Sequence, residues 1–393
     1  MHHFLITIAC VMALSWATPG LADAPFIDPA DDHKHFGVTA DILFWTPEQK
    51  VSGFRNINRL YWTRGILAGD KPFPLPYDKV DLSGLQFEYE DTVVTIDDYV
   101  RQHNVAGLLV IKDGKIVYER YELGNTPESL WLSWSVAKSV TSMLVGAAIR
   151  DGYIESIDEK VSDYLPRLKN SAYDHTSIRN LLQMASGVEW NEDYTDREAD
   201  ISTMQWDTLS VFEYLRRKPR VAEPGETFNY NSAEIYLIGT LLRSAIGNNI
   251  STYLSEKIWQ PFGMEFDANW KLSEKGGGEF GGSNLSASLR DYGRLGLFAL
   301  RNGRLSDGTQ VLPDHWMAAS TTPSKGLAGY GYLWWLRGDD TYAASGIFGQ
   351  AIHIDPVHKL VIAQHSARDV ASQASDRVLQ LAFFRAVTAA LGD

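Results

Sequence analysis

Residues 135–150 read SVAKSVTSMLVGAAIR, and Asp151-Gly152 follows. Apolar side chains occupy all sides of this stretch for several turns, and a glycine stands where a helix C-terminus favours one. The run therefore predicts a helix buried over most of its surface. Ser135 and Lys138 are three apart and share a face, so the lysine stem folds back over the first turn, where the serine oxygen sits. Such a pair can share a proton. S-x-x-K alone is a weak signal, because a chain this rich in serine and lysine should contain about one by chance.

Working outward, AGLLVIKDGKIVYERY (106–121) holds two β-rich runs about Asp113-Gly114 and predicts an antiparallel hairpin. Downstream, SIRNLLQMASG (177–187) reads as a second helix stopped by Gly187, and SVFEYLRRK (210–218) and SAEIYLIGTLLRSAIG (232–247) continue the helical periodicity. GGGEFGG (276–282) reads as a flexible return to the sheet, followed by an amphipathic helix in SASLRDYGRLGLFALRNG (286–303). Tyr330–Trp335, Gln350–Ile354 and Leu360–Gln364 read as strands, with Asp355-Pro356 turning between the last two, and a final helix spans 369–391.

Strands at both ends with helices between predict a mixed α/β fold, an antiparallel sheet flanked by helices with an inserted α-helical domain. The division expected is 23–95 as an N-terminal arm packing on the core, 96–165 with 281–393 as the sheet domain, and 166–280 as the mainly helical domain. Pro72, Pro74 and Pro76 give the arm an extended, irregular character, and Trp45 and Trp62 are its expected docking anchors.

Residues 1–22 read as a signal peptide, with an apolar run from Phe4 to Ala17 and small residues before cleavage at Ala22 or Ala24. The n-region has His2 and His3 in place of Lys or Arg, and Pro25 disfavours the second site. The protein is thus expected to be exported, periplasmic or secreted, without a membrane span. Cys10, the single cysteine, lies inside the apolar run, poorly placed for a lipid anchor; the mature chain then has no disulfide. The net charge of −13 survives cleavage and argues against nucleic acid or an anionic membrane as partner. No phosphate loop or dinucleotide fingerprint appears, so no cofactor is expected. His33-Lys34-His35 after Asp31-Asp32 lacks further ligands at metal spacing, and H-E-x-x-H is absent, so no metal is expected either.

Tyr230-Asn231-Ser232 and, near the C-terminus, Ser345-Gly346 complete an ordered trio with Ser135-x-x-Lys138 that points to a serine hydrolase. Ser135 is the candidate nucleophile and Lys138 its base, made neutral by burial and by the positive end of its own helix. Tyr230 is the candidate proton shuttle to the leaving atom, and Ser232 a supporting hydrogen-bond partner. The backbone N–H of Ser135 is one natural oxyanion donor. Trp190 and Tyr194, in an acidic loop with Glu192, Asp193 and Asp196, are candidates for the substrate crevice. The plainer readings are an N-cap serine with a surface lysine, a packed core tyrosine, a turn serine and a solvated loop. G-x-S-x-G is absent, which makes a triad through His353 or His365 a poor rival.

With Ser135/Lys138, the segments TSIRNLLQMASG, WNEDYTD (190–196), FNYNSAEIYLIG, GGSNLSASLRDYGRLG and SGIFGQAIHIDP (345–356) resemble the S-x-x-K serine hydrolases of the β-lactamase/penicillin-binding-protein superfamily. Within it the likeness is to the esterase and 6-aminohexanoate-dimer hydrolase (nylon-oligomer hydrolase) branch. The resemblance implies a β-lactamase/transpeptidase-like fold with the site between sheet and helical domain. It puts the second oxyanion donor on Ile347 and the third motif, Ser345 and Gly346, against the substrate. Ala344 stands where β-lactamases and penicillin-binding proteins usually carry a Lys or His that holds the substrate carboxylate, and Ser232 stands where many relatives carry Asn. A small-molecule ester or linear amide is therefore the expected substrate. The rivals are a β-lactamase or D-alanyl-D-alanine carboxypeptidase and, in another class, a non-catalytic binding or sensor protein on the same scaffold.

Overall fold

The computed structural model describes residues 26–392, so the signal-peptide reading and Cys10 lie outside the described residues. Asp113 and Gly114 take φ of 49° and 77°, the left-handed backbone that a two-residue hairpin loop needs, and they join Val105–Lys112 to Lys115–Tyr121. These strands form one edge of a six-stranded antiparallel sheet. Leu360–Ser366, Ala351–Asp355, Thr341–Ser345 and Trp335–Gly338 follow in spatial order. The sheet thus joins the two halves of the sequence.

Val105–Ile111 and Leu360–Ser366 are buried throughout, which requires a layer on each face. On one face, Ile96–Gln102 and Ala374–Leu391 bring Tyr99, Phe383 and Val387 onto Leu108, Val110 and Ile362. On the other lie Leu289–Leu300 and Val136–Arg150. The first of these sits very close to the strands: a Cβ on Gly293 would stand 2.7 Å from the Ile111 side-chain tip and 2.8 Å from that of Leu109, so a larger residue there would have to displace both.

A second, four-stranded sheet is stitched from distant pieces, in the order Thr63–Ile66, Ala268–Lys271, Leu285–Ala287 and Trp131–Leu132. Nothing in the sequence pattern announces it, because its strands are too short to show a period. Between the sheets' contributions runs a helix-rich stretch, with Thr208–Arg217 and Ser232–Ile246 as its longer members. Among the described residues no helix is long and apolar enough to cross a membrane.

Several local expectations are corrected. The helix expected over 177–187 is only Ile178–Leu182: a Ser177/Asn180 capping box starts it, but Met184 turns to φ 53° and accepts the Asn229 N–H, redirecting the chain. Tyr330–Trp335 is a turn rather than a strand, with Leu333 at φ 61° and its N–H on Leu182, and the strand begins only at Trp335. The final helix starts at Ala374. The arm is not irregular throughout, since Pro47–Arg55 is a capped helix; Trp45 is buried as expected, whereas Trp62 is 58% exposed, with only the Lys275 ammonium over its ring at 5.3 Å among the described residues. GGGEFGG is held in place, with Glu279 fully buried against Arg64 at 2.7 Å and the Gly281 carbonyl taking the Thr141 hydroxyl at 2.6 Å.

Candidate active site

The short strand Trp131–Leu132 delivers the chain to Ser135 through Trp134, whose φ of 47° is unusual for a bulky residue. Aromatic packing holds it there: the Trp134 ring lies 5.9 Å from Phe54 and 5.3 Å from Phe348. Ser135 is the N-cap of Val136–Arg150, yet its side chain makes no capping bond. Its hydroxyl faces Lys138 instead.

The Lys138 ammonium, 1% exposed, is 3.0 Å from Ser135 Oγ, 2.9 Å from Ser232 Oγ and 2.8 Å from the Gly282 carbonyl oxygen. It also lies 5.0 Å from the centre of the Tyr230 ring. Burial lowers its pKa from 10.5 to about 8, opposed in part by the Glu192 carboxylate. Burial acts on Tyr230 in the other direction and holds its phenol above the ordinary range, with the Ser135 side chain offsetting part of this. At neutral pH the tyrosine keeps its proton, and a fraction of the lysine has lost one. The ring of Tyr230 stacks on Trp335 at 5.9 Å.

Ser232 is placed by the first turn of Ser232–Ile246, which Asn231 caps by accepting the N–H groups of Ala233 and Glu234 at 2.9 and 3.2 Å. Behind Ser232 stands Glu192. Its carboxylate accepts the Tyr194 hydroxyl at 2.8 Å, the Ser232 N–H at 3.1 Å, the Ser232 hydroxyl and the Trp190 indole N–H. Glu192 and the Gly282 carbonyl are the members of this cluster that sequence reasoning missed. The only signal for the first was the alternation Trp190, Glu192, Tyr194, which sets a donor on either side of the acid; a backbone carbonyl leaves no signal at all.

The N–H groups of Ser135 and Ile347 meet no acceptor among the described residues, and both residues line a cavity of about 940 Å³ together with Ser232 and Tyr194. A neighbouring cavity of about 500 Å³ is lined by Tyr230, Tyr194, Ser345, Gly346 and Ile347. Trp190 lines neither: it is buried, and it meets the site only through Glu192. The Gly346 position admits no side chain, since a Cβ would stand 2.7 Å from the Ser133 carbonyl. Ser345 Oγ accepts from the Arg337 guanidinium at 2.8 Å, so a cation reaches the third motif from the adjacent strand although Ala344 provides none. His353 and His365 are packed in the core, against Phe384 and between Trp131 and Tyr292, and burial lowers their pKa values to about 4 and about 3. Asp32 of the N-terminal acidic and histidine cluster is bound to Arg55.

This arrangement can activate a hydroxyl, cradle an oxyanion and return a proton to a leaving atom. Over 284 residues the sequence is 27% identical to a 6-aminohexanoate-dimer hydrolase of Paenarthrobacter ureafaciens, covering 66% of this chain and 71% of that one. A β-lactamase of Pseudomonas fluorescens is 27% identical over a shorter stretch, 44% of this chain and 48% of the relative. A solved structure from Bacillus anthracis, assigned as a 6-aminohexanoate-dimer hydrolase, superposes with a TM-score of 0.77 at 20% identity, covering 87% of this chain and 94% of that one. The Beta-lactamase family pattern matches residues 95–383, from the helix before the central hairpin to the last helix, and so takes in both sheets' approaches to Ser135. On that match the chain belongs to the beta-lactamase family, and is a hydrolase of its serine-dependent superfamily.

Proposed function

We propose that the protein hydrolyses ester or linear amide bonds of small molecules through an acyl-enzyme on Ser135. The observation that carries this reading is the buried Lys138 amine, 3.0 Å from Ser135 Oγ, with its pKa lowered to about 8. In the proposed sequence Ser135 Oγ attacks the carbonyl carbon as its proton passes to Lys138 Nζ. The developing oxyanion takes the N–H groups of Ser135 and Ile347. The tetrahedral intermediate collapses with the C–O or C–N bond breaking, Tyr230 gives its proton to the leaving atom, and the proton held by Lys138 restores the phenol. Water then repeats the sequence on the acyl-enzyme and frees the acid. We place this activity outside the cytoplasm, on the leader-like residues 1–22.

A second reading, β-lactamase or D-alanyl-D-alanine carboxypeptidase, draws on Arg337, whose guanidinium at Ser345 offers a substrate carboxylate the cation that Ala344 lacks. A fluorophosphonate probe followed by peptide mass spectrometry tests the shared chemistry: the adduct is expected on the peptide containing Ser135 and should vanish in Ser135→Ala. A panel of p-nitrophenyl esters, a 6-aminohexanoate dimer and a chromogenic cephalosporin then separates the readings. A cephalosporin matching the best ester in kcat/KM would replace the esterase and amidase reading by the second one.

A further inference from the structure

The larger cavity holds a cation that the proposed reaction leaves unused. Lys271 ends the strand Ala268–Lys271, and its ammonium lies 4.1 Å from the centre of the Phe280 ring and 4.4 Å from that of Tyr61. Two aromatic faces fix its position. No carboxylate among the described residues pairs with it, and burial alone acts on its pKa, pulling it down to about 7. Arg59 lines the same cavity, bonded to the Asn56 side-chain oxygen at 3.1 Å and, among the described residues, to no carboxylate. Among the described residues the one carboxylate on these walls is Asp207, which caps a helix by accepting the Ser210 N–H at 3.1 Å. A chain with a net charge of −13 thus sets two basic side chains against one capping carboxylate on the walls of this cavity. Half-buried and without a counter-ion, Lys271 is divided between amine and ammonium near pH 7, and an arriving anion draws it to the charged form.

The position of the cavity says which part of a substrate arrives there. It contains Ser135, where the acyl carbon bonds, whereas Tyr230, which protonates the leaving atom in the proposed mechanism, lines the other cavity. The acyl chain therefore takes the Lys271 side. We infer that Lys271 is the receptor for a carboxylate at the far end of the acyl chain, so that monoesters or monoamides of dicarboxylic acids are the preferred substrate class. This rests on the acyl-enzyme reading above. It also separates this chain from the substrate its relative is named for, because a 6-aminohexanoate dimer would carry an ammonium, not a carboxylate, on its acyl half.

The test compares mono-p-nitrophenyl esters of glutarate, adipate and suberate with the uncharged hexanoate ester. At least one diacid ester is expected to exceed hexanoate in kcat/KM by roughly tenfold or more, chiefly through KM, as for a charge-assisted hydrogen bond. In Lys271→Met this ratio should collapse toward unity, and Lys271→Arg should restore much of it. An unchanged ratio in Lys271→Met, or no diacid preference in the wild-type enzyme, overturns the inference. Calorimetric binding of the free diacids to the full chain gives a second readout that needs no turnover, with a roughly tenfold weaker Kd expected in Lys271→Met. If the diacids bind through Lys271 but neither ester is hydrolysed, the acyl-enzyme reading falls and the receptor stands; equal binding to both proteins removes the receptor whatever the rates show.

Discussion

Lys138 must serve as a base while buried beside the hydroxyl it deprotonates, and the two demands meet in its lowered pKa. Below about pH 8 the neutral fraction falls tenfold per unit, so acylation should rise with that slope up to about pH 8 and then level. Tyr230, held above the ordinary phenol range, should leave that plateau intact to beyond pH 10. Lys138→Met keeps the stem and removes the base, and acylation is expected to fall by roughly 10²–10⁴ with folding retained; a wild-type rate and pH profile would make the lysine structural. The sign for stability is the same. A folded pKa depressed below the unfolded one penalises the folded state at low pH, and the penalty lifts as pH rises from about 8 towards 10.5.

Glu192 tunes this base as well as holding Ser232, because its charge favours the ammonium of Lys138. Glu192→Gln should shift the rising limb of the pH–rate profile to lower pH and reduce the plateau by about tenfold, the scale of one lost charged hydrogen bond. A merely structural acid would change the plateau and leave the limb where it was. Ser135 and Lys138 could be read as neighbours from the sequence, because spacing along a helix fixes where such side chains sit, whereas Ser232 came only with the ordered motifs and the resemblance they carry. Glu192 could not, because its partners are assembled only by the folded loop.

At the scale of elements, the helix Ser232–Ile246 does for Tyr230 and Ser232 what Trp134 does for Ser135. Its cap, Asn231, lies between the two functional residues and is fully buried. Asn231→Ala should cost about 0.5–2 kcal/mol of stability, read from urea denaturation, and should lower kcat more than that loss explains, because the cap sets the position of both neighbours. An undiminished kcat would show that the helix holds its start without the cap. Long apolar helices and the Asp113-Gly114 hairpin were legible because their periodicity runs for many residues. The short elements failed where a single left-handed residue, Met184 or Leu333, overrode a run of favourable side chains.

For the whole molecule, the arm is braced internally by one ion pair, Arg55 to Asp32 at 2.6 Å, with both side chains nearly inaccessible, and the same guanidinium reaches the core at the Leu123 carbonyl. Removing Asp32 strands a buried guanidinium, so Asp32→Ala should destabilise by about 3–5 kcal/mol in urea denaturation. The same change should lower ester hydrolysis, because Phe54, on the helix that carries Arg55, supports Trp134. Stability lost without any loss of rate would separate the arm from the site. The mixed α/β character and the central sheet were readable from strand-like runs at the two ends of the sequence. The division of the chain around Ser135 was harder to see, since the second sheet owes its existence to pairings between segments far apart.

That second sheet also sets the order in which the protein can come alive. Thr63–Ile66 and Trp131–Leu132 leave the ribosome long before Ala268–Lys271 and Leu285–Ala287, and until all four have met, the strand that leads to Ser135 has no sheet to pair with. Closing such long loops is slow, whereas helices form locally and early. On dilution from urea, helical circular dichroism should therefore return before esterase activity, with the lag shortened by nothing that stabilises helices alone. Simultaneous recovery would mean that the distant strands pair in the same step as the helices. A nascent chain released before residue 285 would carry its nucleophile and base on a finished helix, and still be inert.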